Sequence, residues 1–275
     1  MAKLYVRVVW LLPLAIYAGD AAAWGLYTHV YFAQLLIWAI PLADPRFRRA
    51  IRRFPELLLA GACLPDTALF SRYAAAPELA TTHQWSVARR VLAAGTDDES
   101  RALGAGYSSH LLTDVIAHNH FVPAHERLWF DYPVLTHAAC EWAMDAHVGP
   151  QLFVFPGDLL RRHRARLAHH AAQWLGCNEA AARRALRWLG NGETVLRATR
   201  TPLAVQRCAC AIDSRISRRF DYYISETARR LRQIDRLIAG DMPAWSPDPA
   251  PPSPSERALL VRGIQQPLPL PQDLF

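Results

Sequence analysis

Between Tyr107 and Pro123 the apolar residues Leu111, Leu112, Val115 and Ile116 recur at intervals of three and four, which predicts a helix. His110, Asp114 and His118 fall at i, i+4 and i+8 on it, so one face offers imidazole, carboxylate and imidazole in a row. Pro123 is expected to end this element. The later segment L-T-H-A-A-C-E-W-A-M-D repeats the spacing with His137, Glu141 and Asp145. From Asp158 to Gly240 the chain reads as long helices rich in Ala, Leu and Arg, with interruptions expected near Gly190-Asn191-Gly192 and Pro202. Arg46, Arg48, Arg49, Arg52 and Arg53 alternate with apolar residues as on a solvated helix face. In L-L-L-A-G-A-C-L-P-D, Pro65 biases Leu64 away from helix, so Asp66 is expected where the chain turns out of the core.

Strand-like alternation, internal repeats, a glycine-rich phosphate loop and a G-x-S-x-G elbow are all missing from the pattern. The fold class expected is all-α, a single multi-helix domain over residues 24–240. Past Gly240 the prolines Pro243, Pro247, Pro249, Pro251, Pro252 and Pro254 mark residues 241–275 as an extended tail without a core of its own. At the other end, residues 1–23 have the three parts of a secretory signal peptide. Lys3 and Arg7 come first, an apolar run follows from Val8 to Ala18, and Ala21-Ala22-Ala23 offers a small-residue cleavage site. Cleavage after Ala23 would place the protein in a periplasm or outside the cell and make Trp24 the first residue.

Composition narrows the class further. With 52% hydrophobic residues in 275, the chain can bury a sizeable core and is not disordered throughout. A net charge of +7, almost all of it from Arg, favours an anionic partner such as a phosphate ester, a lipid headgroup or a nucleic acid. Cys63, Cys140, Cys177, Cys208 and Cys210 make no C-x-x-C pair and read mostly as small buried hydrophobes.

The candidate chemistry is that of a metal site. Neutral imidazole and ionised carboxylate are ligands that Zn²⁺ prefers, and a helix holds them without further ordering. An α-amino group, with a pKa of about 7.7–8.0, can lose its proton to a metal, so the amine and carbonyl of a newly exposed Trp24 would add a chelate. His29 follows in W-G-L-Y-T-H, Asp66 is presented after Pro65, and His83 lies in T-T-H-Q-W-S. His163, His169 and His170 sit among arginines without matched carboxylates and are assigned to the surface.

Taken in order, Trp24, His29, Asp66, His83, His110, Asp114, His120, His137 and Glu141 resemble the ligand order of the phospholipase C and S1/P1 nuclease superfamily, and in particular the bacterial zinc-dependent phospholipase C family. The resemblance spans Trp24 to about Asp145. It implies the all-helical fold of that superfamily and up to three Zn²⁺ ions in one cleft. One ion would take Asp66, His83, His110 and Asp114; a second, Trp24, His29 and the bridging Asp114; a third, His120, His137 and Glu141. The family's spacing selects His120 for the third ion whereas helical phase selects His118, and both stay candidates. Asp66 would also orient the nucleophile.

The expected activity is hydrolysis of a phosphodiester, of phospholipid headgroups first. A single-strand nuclease is the alternative, with Trp38, Trp85, Trp129 or Tyr132 as a platform for a base. A non-catalytic module stapled by zinc is the rival outside enzymology. The glutamate at position 141 looks like the phospholipase branch, and the five-residue step from Trp24 to His29 like the nuclease branch. The chain is expected to act as a monomer, with any peripheral membrane contact made by the helical domain itself.

Overall fold

The computed structural model describes residues 25–129, 133–249, 255 and 270–275, with backbone alone for 126–129 and 133–135. The leader expected over residues 1–23, and Trp24 after it, lie outside the described residues. The first elements are α1 (Leu26–Trp38), α2 (Pro45–Arg53) and α3 (Pro55–Gly61), followed by 3₁₀ turns at Pro65–Phe70 and Pro77–Thr81. Next come α4 (Trp85–Ala93), α5 (Asp98–Ile116), α6 (Val122–Trp129) and α7 (Pro133–Val148). The chain finishes with α8 (Pro156–Leu175), α9 (Glu179–Thr199), α10 (Thr201–Ile212), α11 (Ile216–Leu231) and α12 (Ile234–Ala239). The fold is all-α, and no helix among the described residues is long and apolar enough to cross a membrane.

Helix α5 is the axis of the body. Asp97 starts it through a capping box: its Oδ1 accepts the N–H of Ser100 at 2.7 Å, and the Asp97 N–H donates to Ser100 Oγ at 3.2 Å. From Ala102 onward every residue of α5 is buried, as for a helix surrounded by others. Two glycines let α3 lie directly on it. A Cβ on Gly106 would come within 1.9 Å of the Leu58 carbonyl oxygen, and one on Gly61 within 2.3 Å of the Leu103 carbonyl oxygen. The two backbones therefore touch, which brings the end of α3 to the functional side of α5.

Three local expectations are corrected. The Gly190-Asn191-Gly192 stretch does not break the helix, because α9 runs unbroken from Glu179 to Thr199. Glycine costs a helix only about 1 kcal/mol, and here Gly190 lets α9 approach α8, where an added Cβ would meet Leu160 Cβ at 3.4 Å. The chain does change direction before Pro202, where Arg200 adopts a left-handed φ of 54° between α9 and α10. Leu64 stays helical (φ −65°, ψ −42°) despite the proline after it, and Asp66 is buried in the 3₁₀ turn instead of leaving the core. Pro123 does not end the central element either. The hydrogen bonding widens to i→i+5 over Ala117–Phe121, a π turn closed by the Val122 N–H on the Ala117 carbonyl, and Pro123 falls in the first turn of α6.

The arginines of α2 are exposed while Phe47, Ala50 and Ile51 face the core. Cys63, Cys140 and Cys177 are buried, but Cys208 and Cys210 are exposed, and all five are free thiols. The described parts of the tail dock on the helices. Leu270 and Leu274 are buried, the buried Arg230 guanidinium donates to the carbonyls of Leu270 and Pro271, and the Ala244 N–H donates to the Leu274 carbonyl at 2.7 Å.

Candidate metal centre

The close packing of α3 on α5 determines how His110 is presented. Its Nδ1 lies 2.7 Å from the Ala62 carbonyl oxygen at the end of α3. A carbonyl can only accept, so Nδ1 carries a proton and Nε2 turns toward the cleft. His29, on the second turn of α1, is fixed by the same logic. Thr113 Oγ1 gives its hydrogen to the His110 carbonyl at 2.8 Å and accepts from His29 Nδ1 at 3.1 Å. The two imidazoles stack with centroids 3.5 Å apart and both point Nε2 at Asp114, at 3.3 Å from His29 and 2.9 Å from His110.

His83 and Asp66 complete the group. His83 Nε2 is 3.2 Å from His110 Nε2, 3.5 Å from Asp114 Oδ2 and 3.7 Å from Asp66 Oδ1, and Asp66 Oδ1 is also 3.7 Å from His110 Nε2. The ligand-type atoms fall into two overlapping sets, His29 with Asp66 and His110, and His83 with His110 and Asp114, each within 4.8 Å. His29 Nε2, Asp66 Oδ1 and both oxygens of Asp114 are buried without a hydrogen-bond partner among the described residues. Orphaned polar atoms at this depth are costly unless something positive sits among them. The donor set of imidazole nitrogens and carboxylate oxygens suits Zn²⁺. Burial pushes the Asp114 carboxyl up, but His110 and His29 outweigh it and hold it well below the usual carboxylate range.

A second cluster lies where the π turn faces α7. His137 Nε2 is 2.9 Å from Glu141 Oε1, one helical turn apart. The His118 ring stands nearly perpendicular to that of His137, centroids 5.5 Å apart, with its Nε2 buried and without a partner among the described residues. Burial first, and then the charges of Asp66, Asp145 and Asp114, raise the Glu141 carboxyl well above its ordinary range. That shared repulsion puts both clusters in one electrostatic neighbourhood. The His120 ring packs 5.4 Å from that of Trp245, its Nε2 is also buried without a partner among the described residues, and burial, aided by Arg230, pushes its pKa down to about 4.

The structure thus brings His29, Asp66, His83, His110 and Asp114 together, and places His118 beside His137 and Glu141. His120 carries a buried Nε2 that is likewise without a partner among the described residues, and Trp24 lies outside them. Of the aromatic candidates, Trp38 is 58% exposed and meets Phe153 edge-on, whereas the Trp85 indole N–H donates to the Trp245 carbonyl at 2.8 Å. The side chains of Trp129 and Tyr132 lie outside the described residues.

Two carboxylates matter that ligand spacing alone did not assign. Asp145 continues the phase of His137 and Glu141 but turns to the start of α1, accepting from the N–H groups of Thr28 and Tyr27 and from the Thr28 hydroxyl. Asp248, on the tail, lies 3.7 Å from His118 Nδ1. The repeat of acids every fourth residue pointed at Asp145; nothing local pointed at Asp248.

An all-helical body that buries histidines and carboxylates in overlapping sets has the donor groups of a helical metal centre. The comparison with known families is more specific. Residues 28–177, just over half of the chain, match the family model described as zinc dependent phospholipase C, and the chain belongs to that family of zinc-dependent hydrolases. Neither the curated proteins nor the solved structures gave a significant match.

Proposed function

We propose that the protein is an exported zinc-dependent phosphodiesterase of the phospholipase C kind, releasing phosphorylated headgroups from phospholipids. The observation that carries this reading is the convergence of the Nε2 atoms of His29, His83 and His110 on the buried Asp114 carboxylate, with the buried Asp66 carboxylate beside His83 and His110. His83, His110, Asp66 and Asp114 would hold one ion, and His29 with Asp114 a second, joined by the amine and carbonyl of Trp24 once the leader is removed. His118 or His120, with His137 and Glu141, would hold a third. Bound there, zinc supplies Lewis acidity toward phosphoryl oxygens and acidifies a water to provide the nucleophile.

The protein's own groups do the rest. Asp66 orients the attacking water and takes up its proton. Thr113 and the Ala62 carbonyl keep His29 and His110 in the tautomer that turns Nε2 inward, so the site needs no rearrangement before it binds. Export is supported by the leader-like residues 1–23. Gly25 lies against Asp145, so close that an added Cβ would come within 2.2 Å of the carboxylate, and its neighbours Tyr27 and Thr28 are held by that carboxylate.

The test is zinc-loaded mature protein assayed on phosphatidylcholine vesicles, on a chromogenic phosphocholine ester and on denatured DNA. Hydrolysis of the first two with little cleavage of DNA is expected. Cleavage of DNA alone would replace the lipid reading with a nuclease. A fully loaded protein inert on all three would leave zinc as a staple of the fold.

A further inference from the structure

We propose that an apolar pocket between α1, α9 and the first 3₁₀ turn seats one acyl chain of the lipid substrate, while the phosphate lies at the metal centre. The inference rests on the phospholipase reading and adds the part of the lipid that metal ligands do not recognise. The pocket encloses about 170 Å³. Leu26 from α1, Leu69 and Phe70 from the 3₁₀ turn, and Leu189 and Leu196 from α9 make its wall apolar. At Trp188 and Val195, which are 51% and 43% exposed, the lining continues to the surface and gives a chain its way in.

Segments that carry the candidate ligands also build this wall. Tyr27 precedes His29 by two residues on α1, Leu69 follows Asp66 by three in one 3₁₀ turn, and Asp145 follows Glu141 by one turn of α7. With a rise of about 1.5–2.0 Å per residue, each step covers only about 3–6 Å along its element, a gap that the glycerol of a lipid spans. The charged and phenolic groups of the wall are already paired within the protein. Tyr27 Oη donates to Glu193 Oε1 at 2.9 Å, Arg197 Nε lies 3.3 Å from the same carboxylate, and Asp145 accepts from the Thr28 N–H and hydroxyl. Such a wall suits hydrocarbon and penalises a nucleobase, whose polar edge would give up its bonds to water. An apolar cavity of about 150 Å³ stays dry and takes up benzene, so this one has room for about six carbons of a chain.

The experiment measures kcat/KM of the zinc-loaded mature protein on monomeric dibutyroyl- and dihexanoylphosphatidylcholine. It also locates a photoreactive dioctanoylglycerol, which carries no phosphate, by cross-linking and peptide mass spectrometry. Each buried methylene strengthens binding about fourfold, so two more on one seated chain are expected to raise kcat/KM about fifteenfold. Gly192→Phe, at a wall position where an added Cβ meets nothing within 4 Å, puts a ring into the space and should bring that ratio close to one. Ile212→Ala, which removes an exposed side chain outside the pocket, should leave the ratio as it is. The diacylglycerol should mark residues 188–196 of the wild type, a result that decides the matter even should Gly192→Phe fail to fold. A wild-type ratio near one, a ratio that survives Gly192→Phe, or cross-links that map away from α9 overturn the proposal. A protein inert on every phosphodiester that still cross-links on α9, and loses the cross-link in Gly192→Phe, would sink the phosphodiesterase reading and keep the pocket. Equal hydrolysis of both lipids with no cross-link on α9 would do the reverse.

Discussion

Asp145 and Thr28 are joined twice: one carboxylate oxygen accepts both the Thr28 N–H at 2.9 Å and the Thr28 hydroxyl at 2.8 Å, across 117 residues of sequence. Helix α1 has no side-chain cap of its own, so a residue of α7 satisfies its first amides. Burial raises the Asp145 carboxyl to about 7, with the hydrogen bonds from Thr28 and Tyr27 partly offsetting it. A carboxyl raised on folding stabilises fully below its unfolded pKa and loses that contribution as pH rises toward the folded value. In metal-free protein, Asp145→Asn should therefore gain stability relative to the wild type between about pH 4 and pH 7, by at most about 4 kcal/mol. Urea denaturation of chelator-treated protein at the two ends of that window checks the sign.

His125 should show the opposite slope. It is fully buried, its Nδ1 donates to the Phe121 carbonyl at 2.7 Å, and burial pushes its pKa down to about 4 against a smaller upward effect of that bond. Stability from such a group is present above about pH 6.5 and is lost as pH falls toward 4. His125→Gln should flatten this acid limb, removing up to about 3 kcal/mol of pH dependence. An unchanged acid limb in urea titrations at pH 4.5 and 7 would refute the assignment.

The glycines separate into those that space cannot spare and those it can. Gly106→Ala puts a methyl group 1.9 Å from the Leu58 carbonyl oxygen, so α3 must move away from α5 and take the Ala62 carbonyl from His110. A loss of more than about 3 kcal/mol is expected, together with reduced zinc content. Gly192→Ala, with nothing within 4 Å of the added atom inside α9, should raise stability by about 0.5–1 kcal/mol. Thermal melts of both variants decide the matter.

Metal removal has a proton signature. Because the Glu141 carboxyl is raised well above its ordinary range by burial and then by the neighbouring acids, it takes up a proton more readily in the metal-free protein, and a cation must displace that proton. Zinc affinity should thus fall as pH is lowered, and calorimetry in buffers of different ionisation enthalpy should register protons released on binding. Asp114→Ala removes the carboxylate shared by His29, His83 and His110, and should lower phosphodiester hydrolysis by about a hundredfold or more, with loss of zinc. Normal zinc content in this variant would exclude Asp114 as the shared ligand.

What could be seen in advance followed the reach of helical geometry. The pairs His110 with Asp114 and His137 with Glu141 are one turn apart on continuous helices, so spacing alone placed them side by side. The arrival of His29, Asp66 and His83 at the same point depends on how α1, the 3₁₀ turn and α4 pack around α5. Only the order of residue types, through a family resemblance, indicated it. The contacts of Asp145 with α1 and of Asp248 with His118 join distant segments and left no local trace. The break expected at Gly190 failed because close packing on α8 outweighs a small propensity cost.

The wide turn at Ala117–Phe121 is in effect one extra residue threaded into an otherwise regular rod. Deleting a single residue there would restore ordinary winding and shift the residues of the turn itself by about 100° against His110 and Asp114, while the helix beyond keeps its phase. The count of residues in that short stretch is thus a hidden part of the ligand pattern, and two chains with identical histidines but unequal counts there would not share a site.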